Sequence, residues 1–244
     1  MFASDFTAFI HAHGKRGSSL YSQAHEEYTG STHIHYGLRV PDLRAFVKSW
    51  SASKGAAVTR DAWLSTLDAL YMSESVEEKY FAGMLLAQYP KFRATLPLDR
   101  LNGWLNHLIG WAEVDSTCQS TFTAREILAR WDEWETFLRA LALDPNINKR
   151  RASLVLLIRA LRESDDPRLI ALALEQIDKL RGEQDILISK AVSWVLRESI
   201  KRHRAAVESY VQAHADHLQK SVVREFRMKL FTGKKNSHRR SFDE

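Results

Sequence analysis

The sequence predicts an all-α protein, and three observations carry that reading. Apolar residues recur at three- and four-residue spacing throughout, as in Tyr80, Met84 and Ala87 or Leu187, Ala191, Trp194 and Val195, whereas no segment alternates with a period of two. Helix-start signals recur along the chain about every fifteen to twenty residues. The 244 residues include only 10 Gly and 5 Pro beside 45% hydrophobic and 27% charged residues, a composition poor in turns and able to bury a large core.

Taken in order, two short helices precede Tyr28, and Pro41, ahead of Asp42, Leu43 and Arg44, opens a helix over 41–51 because its fixed φ suits a first turn. Thr59 opens 60–71. Ser75 opens 76–89, where Glu78 completes a capping box. Further helices are expected over 98–109, 116–130, 133–143, 147–163, 167–181, 185–201, 204–217 and 220–231. Short loops make neighbours antiparallel, and one pair per forty residues or so matches the spacing of HEAT-type repeats. The expected architecture is a HEAT-like solenoid of helix pairs with a concave face, one domain over 1–231, followed by a basic tail over 232–244.

The longest apolar runs, such as 153–158, are broken by Arg and are too short to span a membrane, and 1–13 lacks the pattern of a secretory signal. The single Cys118 excludes an intrachain disulfide and fits a reducing, cytoplasmic setting. The formal charge of +5 is clustered: Lys149, Arg150, Arg151, Arg159 and Arg162 share one segment, and Lys220, Arg224, Arg227, Lys229, Lys234, Lys235, Arg239 and Arg240 load the C-terminal end. A polyanion is the natural partner for such clusters, with solvated helix faces and a disordered tail as the alternative.

Candidate chemistry lies in a few places. Trp111 and Asp115 stand four apart, so a continuous helical path stacks an indole over a carboxylate; alternatively Trp111 is core and Ser116 with Gln119 caps the next helix. Lys190, Trp194, Arg197 and Lys201 follow at intervals of four, three and four, a basic and aromatic stripe suited to phosphates and a sugar or base. The alternative is a half-buried indole covered by Lys and Arg stems. His33 and His35 without a third ligand make a weak metal site, and none is expected. Tyr21, Tyr28 and Tyr36 surround the turn over 29–37, beyond which Arg39 and Arg44 flank a helix N-terminus able to bind phosphate.

Four stretches in register, Tyr28 through Tyr36-Gly37-Leu38-Arg39-Val40-Pro41, then Trp111-Ala112-Glu113-Val114-Asp115, Asn148-Lys149-Arg150-Arg151-Ala152 and Lys190-Ala191-Val192-Ser193-Trp194-Val195-Leu196-Arg197-Glu198, resemble the AlkD-like DNA alkylation repair family. The resemblance spans roughly 21–227. It implies a HEAT-like fold with a basic, concave DNA-binding face and excision of cationic N3- or N7-alkylated purines from duplex DNA by a monomeric glycosylase that needs no cofactor. It places Trp111, Asp115 and Trp194 around the lesion's deoxyribose, Arg151 on DNA and Tyr28 beside the site; Arg39, Arg44, Lys190 and Arg197 complete the expected DNA contacts. Ile186 and Leu187 depart from the aromatic residues found there in some members. Two other functions fit a helical stack: a non-catalytic binder of DNA structure, separated by an excision assay, and a protein-binding adaptor, which predicts an apolar groove.

Overall fold

The computed structural model describes residues 2–15 and 19–234, and the expected all-α class holds, with no β-strand among them. The side chain of Tyr21, and Lys235, Arg239 and Arg240 of the expected tail, lie outside the described residues. The helices pack as neighbouring pairs and cluster into two compact units, Met1–Phe137 and Leu138–Glu244.

The first unit contains α1 (Ala3–His13), α2 (Ser19–Thr29), α3 (Val40–Lys54), α4 (Arg60–Met72), α5 (Val76–Gln88), α6 (Pro90–Arg93), α7 (Leu98–Leu105), α8 (Gly110–Cys118) and α9 (Ala124–Ala129). Starts are set as the sequence suggested. Pro41 sits in the first turn of α3, Thr59 Oγ1 accepts the Ala62 N–H at 3.2 Å, and Ser75 Oγ accepts that of Glu78 at 3.3 Å. The Glu78 carboxylate takes the Ser75 hydroxyl at 2.6 Å. Phe6 packs against both Trp50 and Phe81, with ring centroids 5.0 Å apart in each case.

Two expected boundaries move. The helix expected over 98–109 stops at Leu105, and the one expected over 116–130 is two helices, α8 and α9. Gly110, at φ +78°, starts α8 six residues earlier than Ser116, which lies inside the helix with its hydroxyl on the Glu113 carbonyl at 2.8 Å. The capping box belongs to Thr123 and Glu126 at the head of α9, in place of Ser116 and Gln119. Helical geometry therefore runs through both Trp111 and Asp115.

The division between units falls within α10 (Trp131–Ala142). The second unit is built on α11 (Ile147–Glu163), α12 (Pro167–Leu180), α13 (Ile186–His214) and α14 (Lys220–Thr232), with α11 packed on α12 and α13, and α14 on α13. Residues 152–158 of α11 are wholly buried, and each large aliphatic side chain among them contributes about 1.5–3 kcal/mol through burial. The helices expected over 185–201 and 204–217 are joined as α13, whose path breaks at His203 (φ −124°, ψ 33°), with the ring Nε2 3.0 Å from the Ser164 carbonyl. Among the described residues no helix is long and apolar enough to cross a membrane.

Candidate active site

In the first unit the site is organised around the N-terminus of α8. A Cβ on Gly110 would lie 2.2 Å from the Thr29 carbonyl oxygen and 2.6 Å from the Gly30 carbonyl carbon, so only glycine lets the 29–31 backbone cross there. That crossing brings the Tyr28 carbonyl to the Trp111 indole N–H, which donates to it at 2.7 Å. The exposed Tyr28 ring stands edge-on to the Trp111 ring, with centroids 5.3 Å apart. Trp111 is thus a half-exposed ring fixed in orientation, and Asp115, only 8% exposed, lies one helical turn further on.

The same loop is tied down from beneath by Glu113. This fully buried carboxylate accepts the Ile109 N–H at 2.8 Å, the Ser31 hydroxyl, and the His33 ring nitrogen Nδ1 at 2.9 Å. An acid in the first turn also suits the positive end of a helix. Gly83 of α5 meets the other side of α8: a Cβ there would stand 2.5 Å from the Ser116 carbonyl oxygen, so the two backbones touch. Tyr71 adds a hydrogen bond from its hydroxyl to Thr117 at 3.2 Å.

α5 carries the titratable groups facing this network. Burial, reinforced by Glu113, Glu77 and Asp115, holds the Tyr80 phenol far above its usual range, so it remains a protonated donor; its hydroxyl has no hydrogen bond among the described residues. Burial pulls the Lys79 ammonium down to about 8, against the opposing pull of Glu113 and Glu78, and its Nζ is held by the Tyr71 and Ser73 carbonyls. Burial likewise keeps His35 neutral, down to about 4, helped by His25 stacked on it at 3.8 Å. Its Nδ1 accepts the Gly37 N–H at 3.2 Å, and Glu77, pushed above the usual carboxylate range by burial, accepts the Tyr36 N–H at 2.9 Å. His33 and His35 therefore brace the loop over 29–37, and among the described residues no group of three or more His, Cys, Asp or Glu could hold a metal.

The remaining expected residues are placed as follows. Arg39 is exposed and makes a two-pronged pair with Asp42 at 3.0 and 3.2 Å, so the start of α3 already carries a carboxylate; Arg44 is exposed one turn on. In the second unit Trp194 is half-exposed on α13, and Lys190 reaches solvent while pairing with Glu225 at 3.3 Å. Arg197 is buried, donating to Ser193 Oγ at 3.2 Å with Glu225 at 3.6 Å. Arg151 is 3% exposed, and its guanidinium donates to the Leu187 carbonyl at 2.5 Å. The cations beside it are engaged too: Lys149 by Asp144, Arg150 by Glu183, Arg159 by Glu163 and Arg162 by Glu198. Glu113 and Tyr80 are the residues that sequence reasoning passed over; no local pattern marks Glu113, whose partners Ser31 and His33 are distant in sequence, and Tyr80 read only as part of an apolar stripe.

Residues 10–230 match the family model for the DNA alkylation repair enzyme. The chain belongs to the DNA alkylation repair enzyme family. A solved structure described as a predicted DNA alkylation repair enzyme from Enterococcus faecalis is similar in fold, with a TM-score of 0.69 and 17% sequence identity over 90% of this chain and 98% of that one. No curated protein matches the chain in sequence. A ring fixed in orientation one helical turn from a nearly buried carboxylate is an arrangement that can stabilise a positive charge developing on a bound group.

Proposed function

We propose that the protein is a DNA glycosylase that hydrolyses the N-glycosidic bond of cationic N3- and N7-alkylated purines in duplex DNA. The observation that carries this reading is the α8 pair: Trp111, pinned through its indole N–H, and the nearly buried Asp115 one turn below it. An alkylated purine already bears positive charge and departs as a neutral base when the glycosidic electron pair moves onto it. Little general-acid help is then required. Positive charge develops instead on the deoxyribose, where Asp115 stabilises the oxocarbenium-like centre and orients a water whose oxygen bonds to C1′. The water's proton passes to the carboxylate and on to solvent, leaving an abasic site.

The Trp111 ring packs on the sugar and displaces solvent, which strengthens the attraction between carboxylate and sugar by lowering the local dielectric. The same role is proposed for Trp194, supported by its half exposure and by the resemblance of 190–198. Tyr28 borders the lesion, and Lys190, Arg44 and Arg39 contact the backbone, the last by exchanging Asp42 for phosphate. Arg151 and Arg197, being buried, act from beneath: Arg151 holds the first turn of α13 through the Leu187 carbonyl, and Arg197 fixes Ser193 and Glu225 next to Trp194. Binding of duplex DNA through the basic residues named here belongs to the same proposal. The test is release of 7-methylguanine and appearance of abasic sites in a duplex carrying that base. Tight binding of the duplex without release would support the non-catalytic alternative.

A further inference from the structure

The outward face of α14 carries a second pattern that the proposed active site does not use. Lys220, Arg224, Arg227 and Phe231 follow at intervals of four, three and four, and all four are exposed, Phe231 to 79%. That spacing places them along one side of the helix. The opposite side is spent on packing: Val222 and Phe226 are buried, and Glu225 faces α13, where it pairs with Lys190 and Arg197. No acidic partner engages Lys220, Arg224 or Arg227 among the described residues, in contrast to the paired cations of α11. An open groove of about 680 Å³ runs along this stripe, floored by Val223 and Met228, with Asp216 at one end as its lone carboxylate. In sequence the surplus continues through Lys234, Lys235, Arg239 and Arg240.

We propose that this face is a separate binding site for the sugar–phosphate backbone of duplex DNA, with Lys220, Arg224 and Arg227 on successive phosphates and Phe231 against a deoxyribose. Cations spaced along a helix beside an apolar floor complement a chain of alternating phosphates and sugars better than they complement a single small anion. The contacts carry no base information, so the site raises affinity for damaged and undamaged duplex alike. It rests on DNA being the partner and is independent of the excision chemistry.

The experiment compares the full chain with the triple variant Lys220→Gln, Arg224→Gln, Arg227→Gln, using fluorescence anisotropy on undamaged duplex over a range of salt concentrations. Because the three residues are exposed, melting temperature should hold. Affinity near 0.1 M salt should fall by about 100-fold, and the slope of log affinity against log salt should flatten by roughly two to three units, near 0.9 per lost phosphate contact. Phe231→Ala should lower affinity by several-fold with the slope unchanged, since the ring carries no charge. Equal affinity and slope in the triple variant overturn the proposal. So does loss of binding to phosphatidylserine vesicles with duplex binding intact, which would assign the face to an anionic membrane surface. Undamaged duplex is the probe, so failure here is distinct from failure of the glycosylase reading.

Discussion

Replacing Gly110 with Ala tests how the fold positions Trp111. The new Cβ would meet the Thr29 carbonyl oxygen at 2.2 Å and the Ser31 nitrogen at 2.8 Å, well inside contact distance, and the residue would have to hold φ +78°. The left-handed conformation costs an alanine about 1–2 kcal/mol. Relieving the clash moves the 29–31 backbone outward by about 1 Å and breaks the bond from the Trp111 indole to the Tyr28 carbonyl, a further ~1 kcal/mol. The total of about 2–3 kcal/mol corresponds to a melting-temperature drop of roughly 4–12 °C for a chain of this size. Gly103→Ala is the control, because a Cβ there meets nothing within 4 Å and lies in α7, where alanine favours the helix. Differential scanning calorimetry on both variants, with 7-methylguanine release measured well below each melting point, gives the answer. If Gly110→Ala melts like Gly103→Ala and excises like the parent, the crossing at 29–31 does not position the ring.

The network beneath that crossing makes further outcomes measurable. Glu113→Gln leaves an amide N–H where the Ile109 N–H or His33 needs an acceptor, so it should lower stability by about 2–3 kcal/mol and slow excision while undamaged duplex binds as before; unchanged melting and excision would remove Glu113 from the positioning role. Acidification should destabilise the fold through His35: its folded pKa of about 4 lies below the unfolded 6.5, so the stabilisation is complete above pH 6.5 and is lost as pH falls to 4. The upper bound is roughly 3 kcal/mol, offset in part by Glu77, whose raised pKa acts in the opposite sense; His35→Gln should flatten denaturation midpoints across that window, and an equally steep loss in the variant would place the sensitivity elsewhere. Excision should follow lesion charge, with uracil and hypoxanthine untouched at pH 7, and release of either base would require a general acid, for which the Tyr80 hydroxyl near Asp115 is the first suspect.

Much of the fold was legible because local signals and final structure agree. Thr59 and Ser75 cap the helices they precede, and the apolar block over 152–158 is the buried centre of its unit. Around α8 the local signals competed. Ser116 and Gln119 spell a capping box, yet Gly110 starts the helix earlier because α2 ends in a loop that crosses above it, a tertiary constraint invisible in a window of ten residues. In the basic segment over 149–162 the sequence shows the charges but not their partners: Asp144, Glu163, Glu183 and Glu198 come from other turns and helices to pair with them. Spacing identified Trp111 and Asp115 as neighbours. It could not identify Glu113, whose importance lies in partners at Ser31 and His33 some eighty residues away.

In the proposed mechanism one carboxylate, Asp115, stabilises the charged sugar as the base departs. Single-turnover release of 7-methylguanine by Asp115→Asn tests it most directly, with melting temperature and duplex affinity measured on the same protein. The rate should be lower by about 100-fold or more, the scale typical of removing one electrostatic stabiliser, with fold and affinity retained. Excision within a few-fold of the parent, accompanied by a lower melting temperature, would make Asp115 a structural residue of α8 and contradict the mechanism.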